Sequence, residues 1–448
     1  MMNGAYKKRI LVSILIMLSF VAALQCYKVI TLQNQLTQSN EDYIEDFNSL
    51  VGTVEQTHPA FEIGSLTKDY QGQKNAILRQ ISVMTNPEDF SLLVSRYLTL
   101  LNDNHTRLLQ PIIEDRYFLA IKPECHAKDG QLYLTHENNP QVTEKIISIG
   151  GISIENVYNT IDRYLPAENQ TARDYNHNLF ATNRELLRLS GCVIENHSSF
   201  GDEKISTKVA FSRVGDLAGE HVVREVPFSV QSLGSFKPSM DQISSKKLGD
   251  IYYIDMNLCF HNSKMGHEIE KLKAAIDSGI YKIIIDVRDN SGGNSEVCRK
   301  ILSAMGMEIP IVGEYVRYSP LAHAANADYP ITGSSTVEAR INAAIPNSKI
   351  QLVVLMNVNT HSSALWLPVY VQDGKLGTIV GQPSINAPSH FGDILKYLLP
   401  NSKMDVSISH KYFSRPNPMA NQKMLIPDYI PETGIDSLEF ALTHLAGK

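Results

Sequence analysis

Two apolar runs limit what this chain can fold into: KIIIDV at 282–287 and QLVVLMN at 351–357. Each is apolar at successive positions, not at alternate ones. A strand of that kind is buried on both faces, as in parallel sheets covered by helices on either side. Each run also leads through a polar turn into a helical pattern. DNSGGNS precedes a helix from about Ser295, and NTHSS precedes one from Ser362 to about Gln372. Upstream, the strand IYYI is followed by a helix stripe of Met265, Ile269, Leu272 and Ile276, and TIVG at 378–381 closes the series. This order predicts an α/β domain over 241–448, with reactive groups at the strand C-termini.

The rest of the chain reads differently. Residues 29–110 form a helical subdomain, with helices expected over 41–57 and about 70–84. A third carries Asn86 as N-cap, Pro87 in the first position and a stripe from Phe90 to Leu101. Residues 111–240 alternate in short runs (RYFLAI, QLYLT, EKIISIGG, TKVAFS) with one helix near 154–164, a small β-rich domain. At the front, Lys7, Lys8 and Arg9 precede fifteen uncharged residues, ILVSILIMLSFVAAL. Fifteen helical residues span only ~22 Å of a ~30 Å hydrocarbon layer. Residues 1–28 are therefore read as a marginal signal anchor, a cleaved signal peptide being the alternative. Either one puts the bulk of the chain outside the cytoplasm, as a single-pass cell-membrane protein or a secreted one. A net charge of −6, with no basic block beyond the first residues, argues against nucleic acid as a partner. Five scattered cysteines without CxxC spacing exclude a disulfide scaffold and a zinc-finger-like site.

Three stretches carry chemistry. In DVRDNSGGNS (286–295) a Gly-Gly turn can expose backbone N–H groups towards developing negative charge, although a lone Gly-Gly is usually a plain turn. In NTHSSALW (359–366) a serine lies at a helix N-terminus, where partial positive charge favours an oxyanion. Serines there are equally common as caps. In LNDNHTRLL (101–109) a histidine sits in a polar loop at the end of the helical region.

Taken together, these stretches resemble the tail-specific (C-terminal-processing) serine protease family, in its tricorn-core-like branch. The matching residues are Asp103-Asn104-His105-Thr106, DVRDNSGG and THSSA. QDGKLGTIVGQP, LLPNS, SRPNP and IPDYIPETG agree with the family's closing segments. The resemblance implies a PDZ-like fold for 111–240, resting on KIISIGGISI, and a crotonase-like catalytic domain. It implies Ser362 as nucleophile and His105 as general base. It implies an oxyanion hole from the N–H groups of Ser363 and of Gly292 or Gly293, with no metal or cofactor. The lysine of the bacterial processing branch is replaced by Ala387, so a Ser–Lys dyad is not supported. His361 is read as a packing residue and His390 as a reserve base. The departures are Asn104 for a serine, Leu365 for an acid, and a distal acid that falls near Gln422 or Glu432. The expected activity is hydrolysis of peptide bonds in peptides or proteins, unstructured C-termini among them. The alternative is a weak or inactive member that binds peptides. Oligomeric state is not readable from the sequence.

Overall fold

The computed structural model describes residues 38–109, 116–135, 143–199, 202–214, 221–231, 242–341, 344–432 and 434–446. The segment expected to anchor the chain lies outside them. Among the described residues no helix is long and apolar enough to cross a membrane.

Three long helices, α1 (Asn40–Thr57), α2 (Tyr70–Ser82) and α3 (Asp89–Thr99), open the described fold, with a one-turn helix, Ala60–Ile63, between the first two. Ser39 closes a capping box with Asp42 at the start of α1. The expected start of α3 at Pro87 is displaced to Asp89. Asn86 Oδ1 accepts the Glu88 N–H at 3.1 Å, and tight turns at Asn86 and Pro87 precede the helix. The helices bury Phe47, Leu50, Ile77, Phe90 and Tyr97 in a core that also takes Leu399, Met404, Val406 and Ile408 from the far end of the chain. The front helices therefore share a core with the C-terminal region.

The middle region holds an eight-stranded sheet with its own core around Leu132, Ile146, Ile149 and Phe211. The expected helix α4 (Ile154–Tyr164) is capped by Ser153. Two further helices, α5 (Gln170–Phe180) and α6 (Arg184–Leu189), follow it. They escape a periodicity reading because α5 buries only Ala172 and His177 and α6 is less than two turns long.

In the C-terminal region, the order β1 (Ile243–Leu248), β2 (Ile251–Met256), β3 (Lys282–Asp286), β4 (Gln351–Met356) and β5 (Thr378–Gly381) forms one sheet. β1 and β2 are antiparallel and the other pairs parallel, with Ile284 opposite both Tyr253 and Val353. Ile283, Ile285, Leu352 and Val354 pack on one face, beneath α7 (Ser263–Asp277), α8 (Glu296–Ala304) and α9 (Trp366–Gly374). Ile284, Val353 and Leu355 pack on the other, against α10 (Ser437–Ala446). This two-sided burial explains the unbroken apolar runs. A second sheet contains β6 (His390–Leu398), β7 (Asp405–Ser414) and the short strand Arg107–Leu108, which pairs with β7 at Arg107–Ser407 and Leu108–Val406.

Within α9, Asp373 forms a bidentate pair with Arg415, Nε and Nη2 at 2.9 and 2.7 Å, and both side chains are buried. Removing one partner of such a pair leaves a buried unpaired charge and costs about 3–5 kcal/mol. Arg415→Met is expected to lower the unfolding free energy measured by urea denaturation by that amount, with a lower midpoint, and adding Asp373→Leu should recover much of the loss. Equal midpoints for wild type and Arg415→Met would refute the role given to this pair.

Candidate active site

The loops leaving β3 and β4 meet through directed polar contacts. Asp286 ends β3 and receives Arg288 Nη2 at 2.6 Å and Tyr253 Oη at 2.9 Å. Arg288 also reaches Asp436 at 2.8 Å, which ties the loop to α10. Asp289 Oδ1 accepts from the side chains of Asn357 and Asn359, locking this loop to the one after β4. Asn290 is fully buried; its carbonyl accepts the His361 N–H, and its Oδ1 accepts the Gly292 N–H at 2.9 Å. The residues DVRDN thus build a scaffold for the turn that follows.

That turn requires glycine. Gly292 has φ +98°, and a Cβ there would lie 2.8 Å from Ser362 Cβ and 3.0 Å from the Ser363 nitrogen. Gly293 has φ +134°, and a Cβ would meet the Cys259 carbonyl at 2.4 Å. The Gly292 N–H is already bonded to Asn290. Among the described residues the N–H groups of Gly293 and Ser363 have no hydrogen-bond acceptor, so these two are the donors open to a ligand.

Ser362 adopts φ +52°, the left-handed region, which costs a non-glycine residue about 1–3 kcal/mol. The strain is held by the Ser362 N–H, which donates to Asn386 Oδ1 at 2.6 Å. Neither serine caps a helix: the 3₁₀ turn Ser362–Ala364 and α9 both begin without a side-chain cap. The Ser363 hydroxyl donates to the Gly293 carbonyl at 2.8 Å and is committed there.

His105 arrives from the other end of the chain. Its carbonyl accepts from Ser407 Oγ at 2.6 Å, and Thr106 Oγ1 accepts the Ser409 N–H at 2.9 Å. Asp103 is fully buried between them. Its Oδ1 accepts the His105 N–H at 2.8 Å, and its Oδ2 accepts from Ser409 Oγ at 2.7 Å and from His58 Nε2 at 3.1 Å. The Ala60 N–H donates to His58 Nδ1, which fixes the tautomer that donates to Asp103. The His105 ring stacks on His390 (5.5 Å between centroids) and tilts against His361 (4.8 Å). Both its nitrogens are buried without a hydrogen-bond partner. Its Nδ1 lies 3.6 Å from Asp103 Oδ1 and 4.0 Å from Glu168 Oε1.

Three neighbouring imidazoles are held in different states. Burial opposes charge on His105, but the Asp103 and Glu168 carboxylates outweigh it and raise its pKa. Burial and the nearby His105 push His390 down to about 3, and the same causes hold His361 well below the ordinary imidazole value. His390 donates from Nδ1 to the Ala387 carbonyl at 2.8 Å. His361 and His390 are thus neutral rings packed against His105, as the packing reading of His361 expects.

Glu168, just before α5, has no counterpart in the sequence reading. The short stretch PAENQ and the weakly patterned helix after it carry no catalytic signal. Gln422 is bonded within its own surroundings, to Ser389 and the carbonyls of Asn417 and Ala420, and Glu432 is exposed. Leu365 is part of the apolar core. Asp103, His105 and Glu168 form the one group among the described residues whose donor atoms could surround a cation, all within 4.8 Å. The Asp103 oxygens already accept three hydrogen bonds from the protein.

Residues 250–430 match the model of peptidase family S41. Among solved structures, mature CPAF is 13% identical, with 91% of this chain and 96% of that one covered at a TM-score of 0.54. Mature CPAF complexed with lactacystin is 14% identical, with 91% and 97% covered at 0.53. At such identities the likeness is one of fold. No curated protein sequence matches the chain. The family match over 250–430 takes in β2 to β5 and the turns that follow β3 and β4, so the α/β region is similar to peptidase family S41.

Proposed function

We propose that Ser362 is the acylating nucleophile and His105 its general base, in a peptidase that cleaves peptide bonds without metal or cofactor. The observation that carries this reading is the contrast at the two serines. Ser363 Oγ is bonded to Gly293, whereas Ser362 is strained, backed by Gly292, and follows His361, whose ring lies 4.8 Å from that of His105, the histidine with carboxylate oxygens at 3.6 and 4.0 Å. Ser362 Oγ attacks the scissile carbonyl carbon while His105 Nε2 takes its proton. The N–H groups of Ser363 and Gly293 hold the oxyanion. His105 returns the proton to the leaving amine, and water, activated by the same imidazole, releases the acyl group. The unpartnered ring nitrogens of His105 fit a base that engages the hydroxyl only when substrate fills the site.

The chain is further read as exported, with residues 1–28 as anchor or signal, because basic residues precede an uncharged stretch. Peptides or protein tails are the substrates this reading implies. The competing reading is a peptide-binding protein with a silent site. It is favoured by the absence of a lysine at Ala387 and by the lack of a hydrogen bond at His105.

A fluorophosphonate probe separates the two. Labelling is expected in wild type and in Ser363→Ala, and none in Ser362→Ala. Peptide hydrolysis should fall by roughly 10⁴–10⁶-fold in Ser362→Ala and in His105→Ala. An unlabelled, well-folded wild type would establish the binding reading instead.

The pH profile gives a second check. His105 must be neutral to accept a proton, so activity is lost as pH falls through its folded pKa. Because that pKa is raised, the acid limb is expected above the ~6.5 of a free imidazole. His361→Phe should leave the limb in place. A limb that follows His361 or His390 variants would remove His105 from the role.

A further inference from the structure

Glu168 is a buried carboxylate on the middle region, and it touches both halves of the site. Its Oε1 accepts the Asn104 N–H at 3.1 Å, one residue before His105, and faces His105 Nδ1 at 4.0 Å. Its Oε2 accepts Asn386 Nδ2 at 2.7 Å and the Ala387 N–H at 2.8 Å. Asn386 Oδ1 in turn accepts the N–H of Ser362. One carboxylate therefore connects the imidazole loop to the strained serine turn through a single intervening amide. The next residue, Asn169, donates to the carbonyls of Ser384 and Lys423 at 3.2 and 3.1 Å, which fixes this segment to the α/β region.

We propose that Glu168 is the positioning residue of this site: it orients the His105 ring and, through Asn386, holds Ser362 in its left-handed conformation. The middle region thereby supplies part of the active centre. The inference rests on the assignment of Ser362 and His105 above. Asp103 shares the imidazole, but its oxygens are committed to Ser409, His58 and the His105 N–H. Each carboxylate turns its oxygen with a single donor towards Nδ1, Asp103 Oδ1 at 3.6 Å and Glu168 Oε1 at 4.0 Å, and of the two only Glu168 also reaches the serine turn, through Asn386.

The charges around His105 are the carboxylates of Asp103 and Glu168 and the guanidinium of Arg107, with His361 and His390 as neutral neighbours. Tyr412 also lies within reach of Glu168 electrostatically. Removing the Glu168 charge takes away one of the two groups that favour the imidazolium. A purely structural residue would not move the His105 titration.

The test uses Glu168→Gln and the swap Glu168→Gln with Asn386→Asp. In the swap, an amide at 168 donates to a carboxylate at 386 and its oxygen keeps the Asn104 N–H, so the links to 104 and 386 survive, the Ala387 N–H loses its acceptor, and the charge moves one residue away from His105. Two quantities are measured in the full chain: the His105 titration by NMR of ¹³C-labelled histidine, and the rates of peptide hydrolysis and fluorophosphonate labelling. In Glu168→Gln the His105 pKa is expected to fall, kcat to drop about 10²-fold with KM little changed, and the acid limb to move to lower pH. The swap should fold like wild type and regain part of the labelling rate. If wild type labels but Glu168→Gln changes neither the His105 titration nor kcat, the proposal is overturned while the Ser362–His105 reading stands. If the His105 titration shifts in a chain that never labels, the Glu168 contact is upheld and the peptidase role of Ser362 falls. If Glu168→Gln does not fold, an unchanged His105 pKa in the swap overturns the proposal.

Discussion

A buried carboxylate at the end of the front helices organises this molecule. Asp103 has no access to solvent, so its charge depends on donors supplied by other parts of the chain: Ser409 from β7, His58 from the turn after α1, and the backbone N–H of His105. Burial would raise its pKa, but the neighbouring imidazoles of His105 and His58 outweigh that and hold it well below the usual carboxylate range. A charge satisfied in this way fixes its surroundings, because each donor lost leaves part of the carboxylate unpaired in a dry interior. The pairing of Arg107–Leu108 with β7, and the common core of the front helices with Val406 and Ile408, then follow from the same docking.

Around that anchor the α/β sheet supplies rigid ends for mobile chemistry. Strands β3 and β4 are covered on both faces, so their C-terminal turns project from a well-packed base. Asp289 ties one turn to the other, and Asn290 holds both Gly292 and His361. The left-handed Ser362 is stable because several independent contacts over-determine it, which is the usual condition for backbone strain to persist.

The electrostatics of the three histidines illustrate how one fold assigns different states to identical side chains. All are buried, and burial alone would neutralise all three. Only His105 has carboxylates beside it, while the charge it attracts suppresses protonation of His361 and His390. The residue adjacent to the serine in sequence is thus the one whose protonation is suppressed, and the distant one the one whose protonation is favoured.

The sequence by itself determined the α/β layout, because two-sided burial leaves an unbroken apolar run that nothing else in a soluble domain requires. It also determined the Gly-Gly turn, the position of α4, and the three loops that converge, because glycine, N-cap residues and strand–turn–helix order act over a few residues. It did not reveal Glu168, α5 and α6, or which glycine N–H stays open. Those depend on contacts across more than two hundred positions, such as Glu168 with Asn386 and Asp103 with Ser409. Only the tertiary structure decided them, since a carboxylate's role is set by the donors that reach it in space, and local sequence carries no record of those donors.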